Sequence, residues 1–391
     1  MKTFNQILEE YGIYGYNTIS KAILAALVAE EPILLVGEHG TGKTLLAEKL
    51  ALALRIDISD SNKEFIAYDA SKALFEDVVG FPNPESLKEG KLKYIESPLT
   101  IWNKKFILID EISRANPQMQ NKWLEVIRSR RIMGNNIPDI RFIFAAMNPL
   151  GYLGVNPLDE ALADRFFLIV NIPEDFKDND LRKIINSEDK VATDLSGDLD
   201  QMIKKIKNIA SQLPPAKTNL IDNFIIDFSR KVNELGISFS PRRAAMMKKA
   251  LTIFFAIDIF DENENNTSAA ENLMLAANYS WNYYVTEDDP ETDKLKESFY
   301  YASKKITKTA KNTVKNFEKY QEKNKSKKRD SASKTVQFGN SQSSSLPHDD
   351  ESGTLTMMKI LGIGAEIMTV GFYEMVIKGN SKWESKLEKK L

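Results

Sequence analysis

The sequence predicts an α/β fold in which a parallel sheet flanked by helices is followed by an all-α domain. Residues 1–172 alternate short, mostly apolar runs with helical stretches, and candidate strands stop at about residue 173. Such alternation is typical of a doubly wound parallel sheet, whose strands are buried on both faces. The predicted strands are Ile33–Val36, Glu64–Tyr68, Phe106–Ile109, Arg141–Ala145 and Phe167–Asn171.

Residues 173–325 form the predicted helical domain, because their apolar residues follow a helical period. Gly236 predicts the end of one helix, since glycine readily adopts the left-handed conformation that closes helices. Ser240 and Pro241 predict the start of the next, as an N-cap hydroxyl followed by a proline in the first turn. The predicted helices are Asp178–Ile185, Leu199–Leu213, Asn219–Leu235, Pro241–Phe260 and Ser268–Tyr284.

The C-terminal part of the chain changes composition twice. Residues 326–353 are polar and rich in serine, which predicts a disordered linker, and residues 354–391 form a predicted helical segment that is apolar and methionine-rich at first. Whether this segment packs on its own chain or on a partner stays open. The basic stretch 304–329 is interpreted as the last helix of the helical domain with a solvated face, and the alternative is a surface for an acidic or nucleic-acid partner.

Composition excludes several classes of function. The chain has 391 residues, 42% of them hydrophobic, which is enough for an ordinary globular core. Its net charge of −2 argues against nucleic acid as a partner. With no cysteine and two histidines it offers neither disulfides nor a histidine-built metal site. The N-terminus lacks a signal-peptide pattern and no run predicts a membrane span, so we expect a soluble, cytoplasmic protein.

A complete phosphate-binding loop of the form G-x-x-x-x-G-K-[ST] follows the first predicted strand and leads into a helix. Its backbone N–H groups and the helix N-terminus favour phosphate oxygens. Lys43 is expected to reach the β- and γ-phosphates and Thr44 to ligate Mg²⁺. His39 fills a variable position and is interpreted as a bystander in catalysis. The predicted nucleotide-binding residues are Gly37, Glu38, His39, Gly40, Thr41, Gly42, Lys43, Thr44 and Leu45.

Two further strands end in polar residues that suit hydrolysis of the bound nucleotide. Asp110 and Glu111 follow an apolar run, and Asp110 can hold Mg²⁺ together with Thr44. Glu111 can polarise the water that attacks the γ-phosphate. Asn148 follows another apolar run and could orient that water, although a strand-end asparagine that turns before Pro149 is the simpler interpretation in isolation.

Three runs strongly resemble those of the MoxR-type AAA+ ATPases, a dynein-related subgroup of the P-loop NTPases. They are Asp110–Pro117, Ala146–Pro149 and Leu158–Phe166. Two stretches look like the insertion of that family, and a third lies where its hairpin before the sensor strand would be; they are Phe75–Gly80, Ile95–Leu99 and Arg131–Ile137. The run Ser240–Ala244 matches the second-sensor motif. The resemblance covers about residues 11–172 well and nothing is recognised beyond about residue 304.

The resemblance implies a P-loop AAA+ core with the AAA+ strand order, followed by an all-α lid. Asn148 would be the first sensor, and Arg242 the second sensor on the γ-phosphate, with Arg243 as its rival. Arg165 would be the arginine finger that reaches the nucleotide of a neighbouring subunit. A finger in trans requires a head-to-tail contact, and such contacts give a ring when they close; a hexamer is the habit of the family.

The predicted function is Mg²⁺-dependent ATP hydrolysis by an oligomer, coupled to the chaperone-like remodelling or maturation of a partner protein. In this family the partner often carries a von Willebrand A domain. The alternatives are a nucleic-acid-associated AAA+ motor and a scaffold that switches with nucleotide but does not turn it over. The adenine pocket is expected near Ile13–Tyr16.

Overall fold

The computed structural model describes residues 2–59, 64–152, 154–173, 176–186, 198–261, 269–287 and 291–306. The α-helices are α1 Phe4–Glu10, α2 Ser20–Ala29, α3 Lys43–Ala53, α4 Phe75–Val79, α5 Pro84–Lys88, α6 Pro117–Ser129, α7 Glu160–Ala163, α8 Asp178–Ile185, α9 Asp198–Ser211, α10 Pro215–Glu234, α11 Pro241–Phe260, α12 Ala269–Tyr279 and α13 Tyr283–Thr286. The strands are β1 Ile33–Val36, β2 Phe65–Asp69, β3 Phe106–Asp110, β4 Arg131–Ile132, β5 Asn135–Asn136, β6 Phe142–Met147 and β7 Leu168–Asn171.

Five of these strands form one parallel sheet in the order β2-β3-β6-β1-β7, which confirms the predicted fold class and the AAA+ strand order. Within the sheet, β1 lies between β6 and β7, so that Ile33 is opposite Phe144 on one side and Leu168 on the other. The carboxyl ends of β1, β3 and β6 therefore meet at one edge. This is the edge where ligands bind in open parallel sheets.

The sheet is buried because its central strands are apolar on both faces. Every residue of β1 and β6 is buried, and β3 is buried up to its terminal Asp110. The ring of Phe106 lies 5.7 Å from that of Phe142 and 5.0 Å from that of Phe144, which packs β3 against β6. Aromatic pairs at such distances add to the stabilisation that area burial alone provides.

The helical region follows the sequence prediction, and α9 differs from its predicted bounds by one residue at its start and two at its end. Helices α8 and α11 have the predicted bounds, whereas α10 begins at Pro215, because a proline at the first position suits a helix start. The predicted helix Ser268–Tyr284 is instead two helices, α12 and α13. They are separated at Ser280, whose carbonyl accepts hydrogen bonds from the Arg243 guanidinium.

Two additions to the sheet lie where the sequence indicated them. The hairpin of β4 and β5 turns through Met133 and Gly134, both with positive φ. The insertion that contains α4 and α5 is closed by a bridge between Pro82 and Tyr94. It carries a series of large apolar side chains that are exposed: Leu74, Phe81, Leu87, Leu92, Ile95 and Leu99.

The sheet and the helices that follow it belong to one compact unit, residues 1–267 with 271–295. Residues 296–306 belong to a second unit and are helical. The predicted linker 326–353, the C-terminal segment 354–391 and the basic stretch beyond residue 306 lie outside the described residues. Among the helices that the structure describes, none is both long and apolar enough to cross a membrane.

Candidate active site

The phosphate loop joins β1 to α3 in a conformation that requires glycine. Gly40 and Gly42 have φ angles of +79° and +81°, in the left-handed region that side chains disfavour. Gly42 is also the N-cap of α3, and a Cβ there would lie 3.3 Å from the hydroxyl of Tyr16. The loop backbone therefore leads directly into the helix N-terminus, which supplies N–H groups for an anion.

Lys43 lies beneath this loop and is 8% exposed. Its Nζ donates to the carbonyls of Gly37 and Glu38, both at 2.8 Å, and to Asn148 Oδ1 at 3.4 Å. Desolvation lowers the pKa of this ammonium, and the charges of Asp110 and Glu111 oppose that shift. The Lys43 ammonium is thus held by loop carbonyls at a position where the phosphate oxygens of a bound nucleotide could replace them as partners.

Thr44 and Asp110 form the pair that suits a magnesium ion. Thr44 Oγ1 donates to Asp110 Oδ2 at 2.9 Å, which brings the start of α3 to the end of β3. A hydroxyl and a carboxylate are the hard oxygen ligands that Mg²⁺ prefers. Among the described residues no group of three acidic or histidine side chains could hold a metal by itself. The residues therefore fit an ion that takes its other ligands from phosphates and water.

Glu111 has a backbone conformation that is uncommon for a residue other than glycine, with φ of +56°. Its N–H donates to Asp110 Oδ1 at 2.9 Å. On the side chain, Oε1 accepts from Asn148 Nδ2 at 3.3 Å, and Oε2 lies 2.8 Å from Arg114 Nε in an ion pair. Strained conformations of this kind concentrate at functional sites, where the surroundings hold them in place.

Asn148 follows β6 and is 1% exposed. Its amide contacts Lys43, Glu111 and, through Nδ2, the Nε2 of His39 at 3.0 Å. The structure thus gives His39 a contact with the site that the bystander interpretation did not include. No pattern in the sequence indicates this contact, because it depends on β1 and β6 being neighbours in the sheet.

Tyr16 is a second residue whose role at the loop was not evident from the sequence. It is 5% exposed, and its hydroxyl donates to the carbonyl of Thr41 in the phosphate loop. Desolvation raises the pKa of this phenol, so that it stays protonated and can donate. The sequence prediction of an adenine pocket near Ile13–Tyr16 stays a prediction, whereas the observed contact of Tyr16 is with the phosphate loop.

Arg165 and Arg242 lie near one another on a surface that includes the end of α7. Arg242 Nη1 donates to Asp164 Oδ2 at 3.0 Å, and Ser240 Oγ donates to Asp164 Oδ1 at 2.8 Å. Desolvation lowers the pKa of Arg165, and the positive charges of Arg242 and Arg128 lower it further. The guanidinium groups of both candidate residues thus belong to one electropositive cluster, with Asp164 as a counter-charge.

Arg243 is a structural residue of the lid. It is 1% exposed, and its guanidinium donates to Ser280 O from Nε at 3.1 Å and from Nη2 at 2.6 Å, and to Phe166 O. Desolvation lowers its pKa to about 10. The side chain of Arg242, by contrast, is 43% exposed. Of the two candidates for the second sensor, only Arg242 is accessible to a nucleotide.

The parallel sheet, the phosphate loop and the acidic pair that ends β3 define a P-loop AAA+ protein. Residues 32–166 match the family model of the AAA domain, dynein-related subfamily. The chain is 31% identical over 232 residues to the uncharacterized protein SH1500 of Staphylococcus haemolyticus, covering 55% of this chain and 83% of the relative. It is also 28% identical over 164 residues to Chaperone MoxR1 of Mycobacterium tuberculosis, which is 41% of each chain. The chain belongs to the AAA family as a MoxR-type AAA+ ATPase.

The fold is also found in a crystal structure from Cytophaga hutchinsonii of a protein described as a candidate ATPase. The similarity has a TM-score of 0.54 at 17% identity and covers 75% of this chain and 92% of the other. At that identity the similarity shows the fold alone. Against three curated relatives, MoxR1 among them, the chain spans 41% to 55% of their length.

Proposed function

We propose that this chain is a Mg²⁺-dependent ATPase that works as a homo-oligomer and couples ATP hydrolysis to the remodelling or maturation of a partner protein. One observation carries the proposal. Side-chain hydrogen bonds join Asn148 to Lys43 and to Glu111, and another joins Thr44 to Asp110. The Glu111 backbone N–H donates to the Asp110 carboxylate, so all five residues meet at the carboxyl edge of the sheet. Lys43, Thr44 and Asp110 would be enough to bind a nucleotide with its Mg²⁺. Glu111 and Asn148 add a base and an amide that can act on the attacking water, which hydrolysis requires.

The residues of this set have distinct tasks. Lys43 and the loop N–H groups would bind the phosphates, while Thr44 and Asp110 would hold Mg²⁺, which offsets the phosphate charge when bound. Glu111 is the general base that withdraws a proton from the attacking water. Asn148 has an amide that can orient the water against Glu111, because its Nδ2 already lies 3.3 Å from Oε1.

The first experiment compares ATP hydrolysis by the wild type and by Glu111→Gln. We expect the variant to bind ATP within about threefold of the wild type and to hydrolyse it at least ~100-fold more slowly, since a positioned general base contributes about that much or more. Glu234→Gln, an exposed residue of α10, is the matched control and should not change the rate. A wild type that binds ATP without turnover would instead favour a nucleotide-switched scaffold.

The arginine cluster supports oligomeric action. Arg165 and Arg242 share one surface with Asp164, and the described contacts of Arg242 are with Asp164 rather than with the phosphate loop. We propose that both arginines stabilise charge on the nucleotide held by a neighbouring subunit. A head-to-tail contact of this kind gives a ring when its rotation closes, and a hexamer is the expected size.

Mixing two inactive variants tests this arrangement. Arg165→Ala keeps its own phosphate loop, and Lys43→Ala keeps its arginines, so each supplies what the other lacks. We expect both to be nearly inactive alone and the mixture to regain activity, with Arg230→Ala on α10 as an active control. If the mixture stays inactive while mass photometry shows mixed rings, the arginines do not act in trans.

Remodelling of a partner is supported by the insertion and by the chaperone relative. The insertion carries exposed apolar side chains that a protein client could contact. The client is expected to be a separate protein, such as one with a von Willebrand A domain. An ATP-bound Glu111→Gln assembly should retain the client more strongly than Lys43→Ala does. Equal retention by the two variants would show that client binding does not depend on nucleotide.

A further inference from the structure

His39 in the phosphate loop bridges to the residue that orients the water. We infer that His39 is a positioning residue, which holds the Asn148 amide in the orientation that presents it to Glu111. The inference rests on the proposed function, since it assigns a role within the same hydrolytic site. It is carried by the contact of His39 Nε2 with Asn148 Nδ2 at 3.0 Å and by the other bonds of that amide.

The orientation of the amide follows from its partners. The Lys43 ammonium can only donate, so the atom 3.4 Å from it must be the amide oxygen. The Glu111 carboxylate can only accept when ionised, so the atom 3.3 Å from it must be the amide nitrogen. One hydrogen of Asn148 Nδ2 is thus committed to Glu111, and the second is available to His39.

The same assignment of hydrogen-bond donors and acceptors determines the tautomer of His39. Because Asn148 Nδ2 is a donor, His39 Nε2 must accept, which places the imidazole proton on Nδ1. That nitrogen lies 3.8 Å from Glu111 Oε1, so its proton is on the ring nitrogen that is near the carboxylate. In this tautomer both hydrogens and the oxygen of the Asn148 amide have partners.

The bridge links two parts of the site that come from different strands. His39 belongs to the loop after β1, and Asn148 follows β6, the neighbour of β1 in the sheet. The Asn148 side chain is buried, whereas the His39 side chain is 60% exposed. The buried amide is thus in contact with a ring that is itself exposed to solvent. A movement of the phosphate loop would be transmitted to Asn148 and from there to Glu111.

Arg114 also holds Glu111, at 2.8 Å, so loss of the His39 bridge should reduce catalysis without abolishing it. We expect His39→Leu to lower kcat roughly fivefold to thirtyfold, the effect of one lost hydrogen bond in the site. The Kd for ATP should stay within about threefold of the wild type, because the loop backbone and Lys43 are unchanged.

His39→Gln is the matched variant, since its side-chain oxygen can accept from Asn148 near the position of Nε2. We expect it to restore kcat to within about threefold of the wild type. An equal loss in the leucine and glutamine variants would overturn the inference, as would a leucine variant with wild-type kcat. A loss that appears in the Kd for ATP instead would assign His39 to nucleotide binding and would also overturn it.

Nitrogen-15 NMR of the imidazole rings tests the bridge without relying on activity. The chain has two histidines, so His348→Gln identifies the signals of His39. We expect the Nδ1–H tautomer in the full chain and its loss in Asn148→Ala. A predominant Nε2–H tautomer would overturn the bridge. A wild type that shows the Nδ1–H tautomer but no ATP hydrolysis would refute the proposed function while leaving the geometry intact.

Discussion

Replacing Arg243 with methionine tests whether this arginine stabilises the fold, in contrast to Arg242, which we propose acts on the nucleotide. The substitution keeps an unbranched apolar side chain but removes the donors to the carbonyls of Ser280 and Phe166. Each buried carbonyl left without a partner costs about 1–3 kcal/mol. Part of this cost is offset, because the variant no longer buries a charge whose desolvation lowers the pKa to about 10. We expect a net destabilisation of about 2–4 kcal/mol.

A loss of that size should lower Tm by roughly 5–10 °C in a unit of this length. Thermal unfolding followed by circular dichroism is the assay, and Arg242→Met is the matched control on the same helical turn. The ion pair of Arg242 with Asp164 is exposed and is worth about 0–1 kcal/mol, so its Tm should change by less than about 3 °C. Arg242→Met should instead lower the ATPase rate of the assembled protein. If the Tm of Arg243→Met lies within about 2 °C of the wild type, a change as small as that expected for Arg242→Met, the structural role of Arg243 is refuted.

Further predictions concern the phosphate loop. Lys43→Ala should weaken ATP binding at least ~10-fold, measured with a fluorescent ATP analogue, because it removes a charge-assisted bond to phosphate; unchanged affinity would contradict the assignment. Tyr16→Phe removes the donor to Thr41 O and should weaken ATP binding roughly twofold to tenfold with Tm nearly unchanged, whereas wild-type affinity would show that the contact does not shape the loop. Chelation of Mg²⁺ should abolish hydrolysis and re-addition should restore it. Thr44→Ala should raise the Mg²⁺ concentration for half-maximal rate, and an unchanged requirement would exclude Thr44 as a ligand.

The strands and the phosphate loop could be predicted from the sequence because their signals are local. The run Ile33–Val36 is apolar at every position and is followed by a glycine loop, so β1 has the predicted bounds. The strand Arg141–Ala145 was predicted slightly early, because its apolar run continues to Met147 before Asn148 ends it. The order of the strands in the sheet could not be predicted from local sequence, because apolar runs of similar composition do not specify which strands are neighbours. That order came from the resemblance and is confirmed by the structure.

Side-chain partners across the sheet could not be predicted in the same way. The contact of His39 with Asn148 joins residues that are 109 positions apart in the chain. Tyr16 reaches the loop from a segment before α2, and its aromatic ring is equally compatible with an ordinary core position. Arg242 and Arg243 differ in role because successive residues of a helix are rotated by about 100°, so that adjacent side chains point to different surroundings. Local sequence gives no means of choosing between them before the helix is placed.

The positions of these arginines also connect stability to the proposed action in trans. Arg243 donates to the carbonyl of Phe166, the residue that directly follows Arg165. Asp164, the residue that directly precedes Arg165, accepts hydrogen bonds from Arg242 and from Ser240. Both neighbours of Arg165 are therefore held by the first turn of α11, so the lid fixes the backbone from which the candidate finger extends. A change in the position of α11 would move Arg165 and Arg242 together. Under the proposed action in trans, this movement would let the lid control the nucleotide site of a neighbouring subunit.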